Sequence, residues 1–147
     1  MINNLLNNVK ITRVLGAVAD GQAASASDIL DMQGFNGVVF IAKVADVTAG
    51  SVLTLEAQQN TINSAAGMAT LAGSVTYTAG ATDADDDLLV LDVAQPRERY
   101  IRAVFTSATQ NAVKDGVIAI QYGAEAAPVV QGSTVLDSDT LVNPAEA

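Results

Sequence analysis

The sequence predicts an all-β fold, an antiparallel β-sandwich of jelly-roll type with extended N- and C-terminal arms. Three observations carry that expectation. The apolar segments are short and rich in β-branched residues, Gly, Asn, Asp and Ala-Gly turns separate them at regular intervals, and the clearest alternate apolar with polar residues. At 147 residues the chain has room for one domain around one core, and 50% hydrophobic against 16% charged residues is ample to fill it.

Residues 1–8 are expected to form an N-terminal arm with Leu5 and Leu6 as its hydrophobic grip, residues 9–123 the sandwich, and residues 124–147 a C-terminal tail. The expected strands are Val9 to Leu15, Ser27 to Met32, Gly37 to Val44, Ser51 to Gln58, Leu71 to Thr78, Leu88 to Val93, Tyr100 to Ser107 and Gly116 to Tyr122. In Ser51 to Gln58, Leu53, Leu55 and Ala57 share a dry face while Thr54, Glu56 and Gln58 share a wet one. Val38 to Ala42 is continuously apolar, as expected of a strand covered on both faces by a second sheet or a neighbouring subunit. Residues 59–72 suit a loop with a helical turn near Ile62 to Met68. The alternation places Leu53, Leu55, Leu89, Leu91, Ile101, Phe105, Ile118 and Ile120 in the core. In the tail, Val129-Val130, Val135-Leu136 and Leu141-Val142 are spaced like anchors for another surface.

The chemistry available to the chain is narrow. It has no His and no Cys, so the usual neutral-pH base, the thiol nucleophile and the thiolate metal site are all missing, and no enzymatic activity and no cofactor are expected. Asp83, Asp85, Asp86 and Asp87 concentrate oxygen ligands, yet Leu88 stands where an EF-hand needs glycine and Ala94 where it needs glutamate; a solvated hairpin loop is the expectation. Seven basic residues against sixteen acidic ones give a net charge of -9, a surface that repels nucleic acid. The start lacks a signal-peptide pattern and no run approaches the roughly 20 apolar residues of a membrane helix, so neither export by a cleaved signal nor a membrane partner is expected.

Against that acidic background, Arg97, Arg99 and Arg102 cluster within Gln95 to Phe105, with Arg102 on a sheet face and Arg97 and Arg99 at the strand entry. Arg99 and Arg102 are expected to meet carboxylates of the same or an adjacent chain. The phrase Pro96-Arg97-Glu98-Arg99-Tyr100-Ile101-Arg102, a turn at Ala108 to Gly116 and a last strand Val117 to Tyr122 resemble small structural proteins of tailed-bacteriophage virions, above all head decoration, or cement, proteins. The resemblance follows the order of segments over Val9 to Tyr122. It implies a homo-oligomer, a trimer in many relatives, that is made in the host cytoplasm and clamps the major capsid protein on the outside of the virion. The candidate contact residues are then Leu5, Leu6, Arg97, Arg99, Arg102, Val129, Val130 and Leu136. A carbohydrate- or cell-surface-binding sandwich and a phage tail or connector protein are the alternatives, the first weakened by only 4% aromatic residues.

Overall fold

The computed structural model describes residues 4–146, and every regular element among them is a β-strand. These are β1 (Lys10–Leu15), β2 (Val18–Gly21), β3 (Ala24–Ala26), β4 (Leu30–Asp31), β5 (Gly37–Val47), β6 (Val52–Asn60), β7 (Ala69–Thr70), β8 (Val75–Thr78), β9 (Leu88–Ala94), β10 (Tyr100–Ala108) and β11 (Ala112–Tyr122). One antiparallel sheet runs β1-β11-β5-β9 with β2 also on β11; the other runs β3-β10-β6-β7 with β4 also on β10 and β8 on β6. β1 and β2 are successive pieces of one rail along β11, as are β3 and β4 along β10, and β7 and β8 along β6. Taken as rails in chain order, the sheets read 1-8-3-6 and 2-7-4-5, so every connection but one crosses between sheets. That interleaving is the winding of a jelly roll, and it agrees with the expected fold class.

Several expected elements differ in detail. Of the strand expected at Ser27 to Met32 only Leu30–Asp31 (β4) forms; β3 lies before it, and the two are parted at Ser27, whose hydroxyl accepts the Ala103 N–H (2.9 Å) and donates to the Asp28 carbonyl (2.9 Å). The strand expected at Leu71 to Thr78 starts only at Val75, because the intervening chain turns through Gly73 at φ 101°. No helical turn forms at Ile62 to Met68; the Asn60 amide holds that loop by donating to the Ser64 (3.0 Å) and Ala66 (2.9 Å) carbonyls.

Five of the eight expected core residues, Leu53, Leu55, Leu89, Ile101 and Phe105, are buried between the sheets, and Leu91 packs half-buried against them. Full burial of each large side chain is worth roughly 1.5–3 kcal/mol. Ile118 and Ile120 correct the expectation: both point outward, and Val117, Ala119 and Gln121 point in. The cause is a bulge. Between Lys114 and Gly116 β11 advances two residues while β5 advances one, which switches the inward set from Ala112 and Lys114 to the odd-numbered residues beyond. Gly116 makes this possible at φ 114°, where a Cβ would collide with the Leu15 carbonyl of β1.

Two buried polar side chains of β11 then reach across to the other sheet. Gln121 donates to the Asp31 carbonyl of β4 (2.9 Å), and the Lys114 ammonium donates to the Ala23 carbonyl (2.6 Å) and the Ser25 hydroxyl of β3 (3.0 Å). Lys114 also lies 5.7 Å from the Phe105 ring centroid. It has no carboxylate in reach among the described residues, and burial lowers its pKa. The unfolded chain therefore binds the proton more tightly than the folded one, so Lys114 contributes least at neutral pH and gains as pH rises toward its ordinary 10.5.

Lys114→Ala should cost about 2–5 kcal/mol as a truncated core side chain, and Lys114→Met should stay within about 1.5 kcal/mol of the parent. Denaturant melts of parent and Lys114→Met at pH 7 and pH 10 should show the parent gaining on the variant at the higher pH; a constant or opposite difference would contradict the buried, depressed lysine.

Candidate interaction surface

The bulge in β11 creates an apolar surface outside the sandwich. Register aligns Arg13, Ile118, Ile41 and Val90 in one row across β1, β11, β5 and β9, and Ile11, Ile120, Val39 and Asp92 in the next. Partners in antiparallel register share a face, so these rows form one continuous outer face, extended by Leu88 beside Lys43. Leu88 is 57% exposed, Val90 49% and Ile118 45%, while Ile11, Val39, Ile41 and Ile120 are half-buried by one another. Single exposed apolar residues are ordinary; a contiguous field of seven on one sheet face is a candidate contact surface.

A polar rim bounds it. Lys43 pairs with Asp115 (2.7 Å) and Asp86 (3.6 Å), and the Asp115 hydrogen bond raises its pKa. Tyr122 lies over Gly37 of β5, where a Cβ would collide with its ring, and donates to Asp92 of β9 (2.6 Å). Burial first and the Asp92 bond second push its phenol up to about 12. Arg13 stands at the β1 side, exposed, with no ion pair among the described residues.

The two expected arms meet along the free edge of β1. Val129 N–H donates to the Asn7 carbonyl (2.9 Å), Gln131 accepts the Ile11 N–H (2.9 Å) and donates to the Leu6 (3.2 Å) and Val9 (2.7 Å) carbonyls, and Thr134 accepts the Arg13 N–H (3.1 Å). Side chains of the tail thus satisfy edge N–H groups that would otherwise be open for pairing. Leu6 and Val129 are half-buried in this contact; Leu5 and Val130 are exposed, and Leu136 is 99% exposed. Residues 1–3 of the expected N-terminal arm lie outside the described residues.

The arginines lie apart from this edge group, at the start of β10. Arg99 grips Asp31 of β4 through two hydrogen bonds (2.9 and 2.8 Å), lowers the Asp31 pKa and sits 5.2 Å from the Tyr100 ring centroid. Arg102 donates to the Gln58 amide oxygen (2.8 Å) rather than to a carboxylate, and Arg97 is exposed. In the acidic loop each carboxylate goes its own way: Asp83 accepts from Tyr77 (2.5 Å) and the Gly80 N–H (2.6 Å), Asp85 accepts the Val47 N–H (2.9 Å), and Asp86 faces Lys43. They hold the loop rather than converge on one point.

Sequence reasoning missed the outer face, although it left a signal. Val38 to Ala42 and Leu88 to Leu91 are continuous apolar runs, and the structure buries only alternate members of each. The run in β5 is covered by the second sheet on one face only.

Ile118→Ala should change stability by about 0.5 kcal/mol or less, the range of ordinary surface substitutions, while Ile101→Ala should cost about 2–5 kcal/mol. Urea melts of the two variants would read the difference directly; equal costs would place Ile118 in the core after all.

No protein-family model and no curated protein sequence matches the chain. Among solved structures it is similar to "Structure of Eiger TNF from S. frugiperda", at 9% identity and a TM-score of 0.37, over 78% of this chain and 96% of that one. At that level the likeness carries nothing about function, and the fold assignment stands on the strand order.

Proposed function

We propose that the chain is a non-enzymatic structural protein of a tailed-phage virion, one that associates with itself, as a trimer, and docks on the outside of an assembled capsid to stabilise it. The observation that carries this is the apolar outer face of the β1-β11-β5-β9 sheet, a field of Ile, Val and Leu without cover on an otherwise acidic protein. Such a face gains most from association. The interleaved sandwich supplies a rigid body, and the absence of His and Cys fits a protein that works by packing. The phrase at Pro96 to Arg102 points toward decoration proteins among virion components. A repetitive capsid lattice favours weak, repeated contacts, because an oligomer held at one point makes its remaining contacts intramolecularly.

Undecorated heads mixed with the protein, sedimented, and then heated while DNA release is followed would test the proposal. Full-length protein should pellet with heads and raise the release temperature, and Ile118→Asp should weaken both effects. Removal of residues 136–147 leaves Gln131 and Thr134 on β1, so that shortened chain should stay folded and report on the tail alone. Full-length protein that neither pellets with heads nor delays release would overturn the capsid assignment.

A further inference from the structure

The C-terminal segment changes character after Val135. Up to that point it is fastened to the N-terminal turn through Val129 and to the β1 edge through Gln131 and Thr134. Beyond it, the hydrogen bonds that hold residues 136–146 are local: the Ser138 N–H to Asp137 (2.8 Å) and the Thr140 N–H to Asp139 (2.8 Å). Leu136, Leu141 and Val142 stand exposed along it. The chain thus carries two uncovered apolar features, this segment and the outer sheet face, and both begin at β1.

We infer that residues 136–146 of one copy lie across the outer β1-β11-β5-β9 face of a neighbouring copy, so that the tail is the occupant of that face. The inference rests on the self-association proposed above. Charge favours it at the β1 side: the segment bears Asp137, Asp139 and Glu146 and no base, and that side of the face presents Arg13, a cation without an ion pair among the described residues. The acid in the rows, Asp92 of β9, lies at the opposite edge, where it accepts from Tyr122. In a chain of net charge -9 an acidic segment has few places to dock, and a cation beside apolar side chains is one. Reach allows it. Eleven extended residues span roughly 36 Å, against a radius of gyration of about 15 Å for a domain of this length. The segment's own face is uncovered although the segment is attached beside it, since Ile118, Val90 and Leu88 remain exposed.

Donor tail and acceptor face are different surfaces, so the contact repeats head to tail. A head-to-tail contact closes into a ring when the rotation between copies allows, and the proposed trimer is such a ring. Ordering the tail costs entropy, which keeps each single contact modest and makes ring closure decisive.

The chain has no cysteine, so single-cysteine variants report contacts cleanly. Leu136→Cys, Leu141→Cys and Val142→Cys would each be mixed with Val39→Cys, Val90→Cys or Ile118→Cys and oxidised. The inference expects a disulfide-linked dimer in tail-plus-face mixtures and not from either partner alone. It also expects removal of residues 136–147 to weaken self-association by about tenfold or more, with the circular dichroism unchanged and the thermal midpoint unchanged at dilutions where both chains are monomeric. Face-to-face dimers from Val90→Cys alone would overturn it. Parent protein that sediments as an oligomer yet gives no tail-to-face linkage would overturn this contact and leave self-association standing; parent protein that stays monomeric would overturn both.

Discussion

The bulge at Gly116 is the constraint on which the rest of the molecule depends. β11 lies between β1 and β5 and spans the sheet, so the phase of its side chains decides what the sandwich holds inside and what it shows outside. One extra residue at φ 114°, against the Leu15 carbonyl, sets that phase. Past the bulge the small side chains Val117 and Ala119 face the core, Ala119 beside the fully buried Phe40, so large and small residues interlock without overpacking. The larger Ile118 and Ile120 go outside. A residue with a Cβ at position 116 would meet both a strained backbone region and the β1 main chain.

The change of phase at the bulge is what lets both Lys114, before it, and Gln121, after it, face inward at opposite ends of β11. Their bonds to the Asp31 and Ala23 carbonyls are inter-sheet contacts with a direction, which apolar packing lacks. A one-residue slip would bury Ile120 or Tyr122 in place of Gln121 and leave the Asp31 carbonyl without that donor. Buried polar bonds of this kind select one register among apolar alternatives, at a cost in solvation visible in the lowered pKa of Lys114.

Much of the fold was legible because most strands keep one phase from end to end. Ser51 to Gln58 alternates cleanly and buries Leu53, Leu55 and Ala57 as its pattern requires, and Ile101, Ala103 and Phe105 do the same in β10. β11 defeats periodicity because its apolar residues occupy both faces, so Val117-Ile118-Ala119-Ile120 fits either phase. A lone glycine within an apolar strand pattern was the available signal, read in the sequence as the end of a turn. The edge contact of the tail was not legible, since Gln131 and Thr134 act through side chains on main-chain groups of β1 more than a hundred residues away, and no local pattern encodes that. The apolar pairs of the tail were visible, but only the structure separates Val129, half-buried and bonded to the N-terminal turn, from Leu136, which is left exposed.

Outward Ile118 and Ile120 beside inward Val117 and Ala119 on the same strand are a costly arrangement for a solitary sandwich and a sensible one for a subunit. That contrast makes the outer face the centre of the account. Sedimentation velocity of the parent chain and of an Ile118→Asp, Ile120→Asp variant across a wide concentration range tests it most directly. The parent should sediment as an oligomer that dissociates on dilution, and the variant should remain a folded monomer throughout. A parent chain that stays monomeric at every concentration, or a variant that associates as strongly as the parent, would contradict the claim that this face is a contact surface.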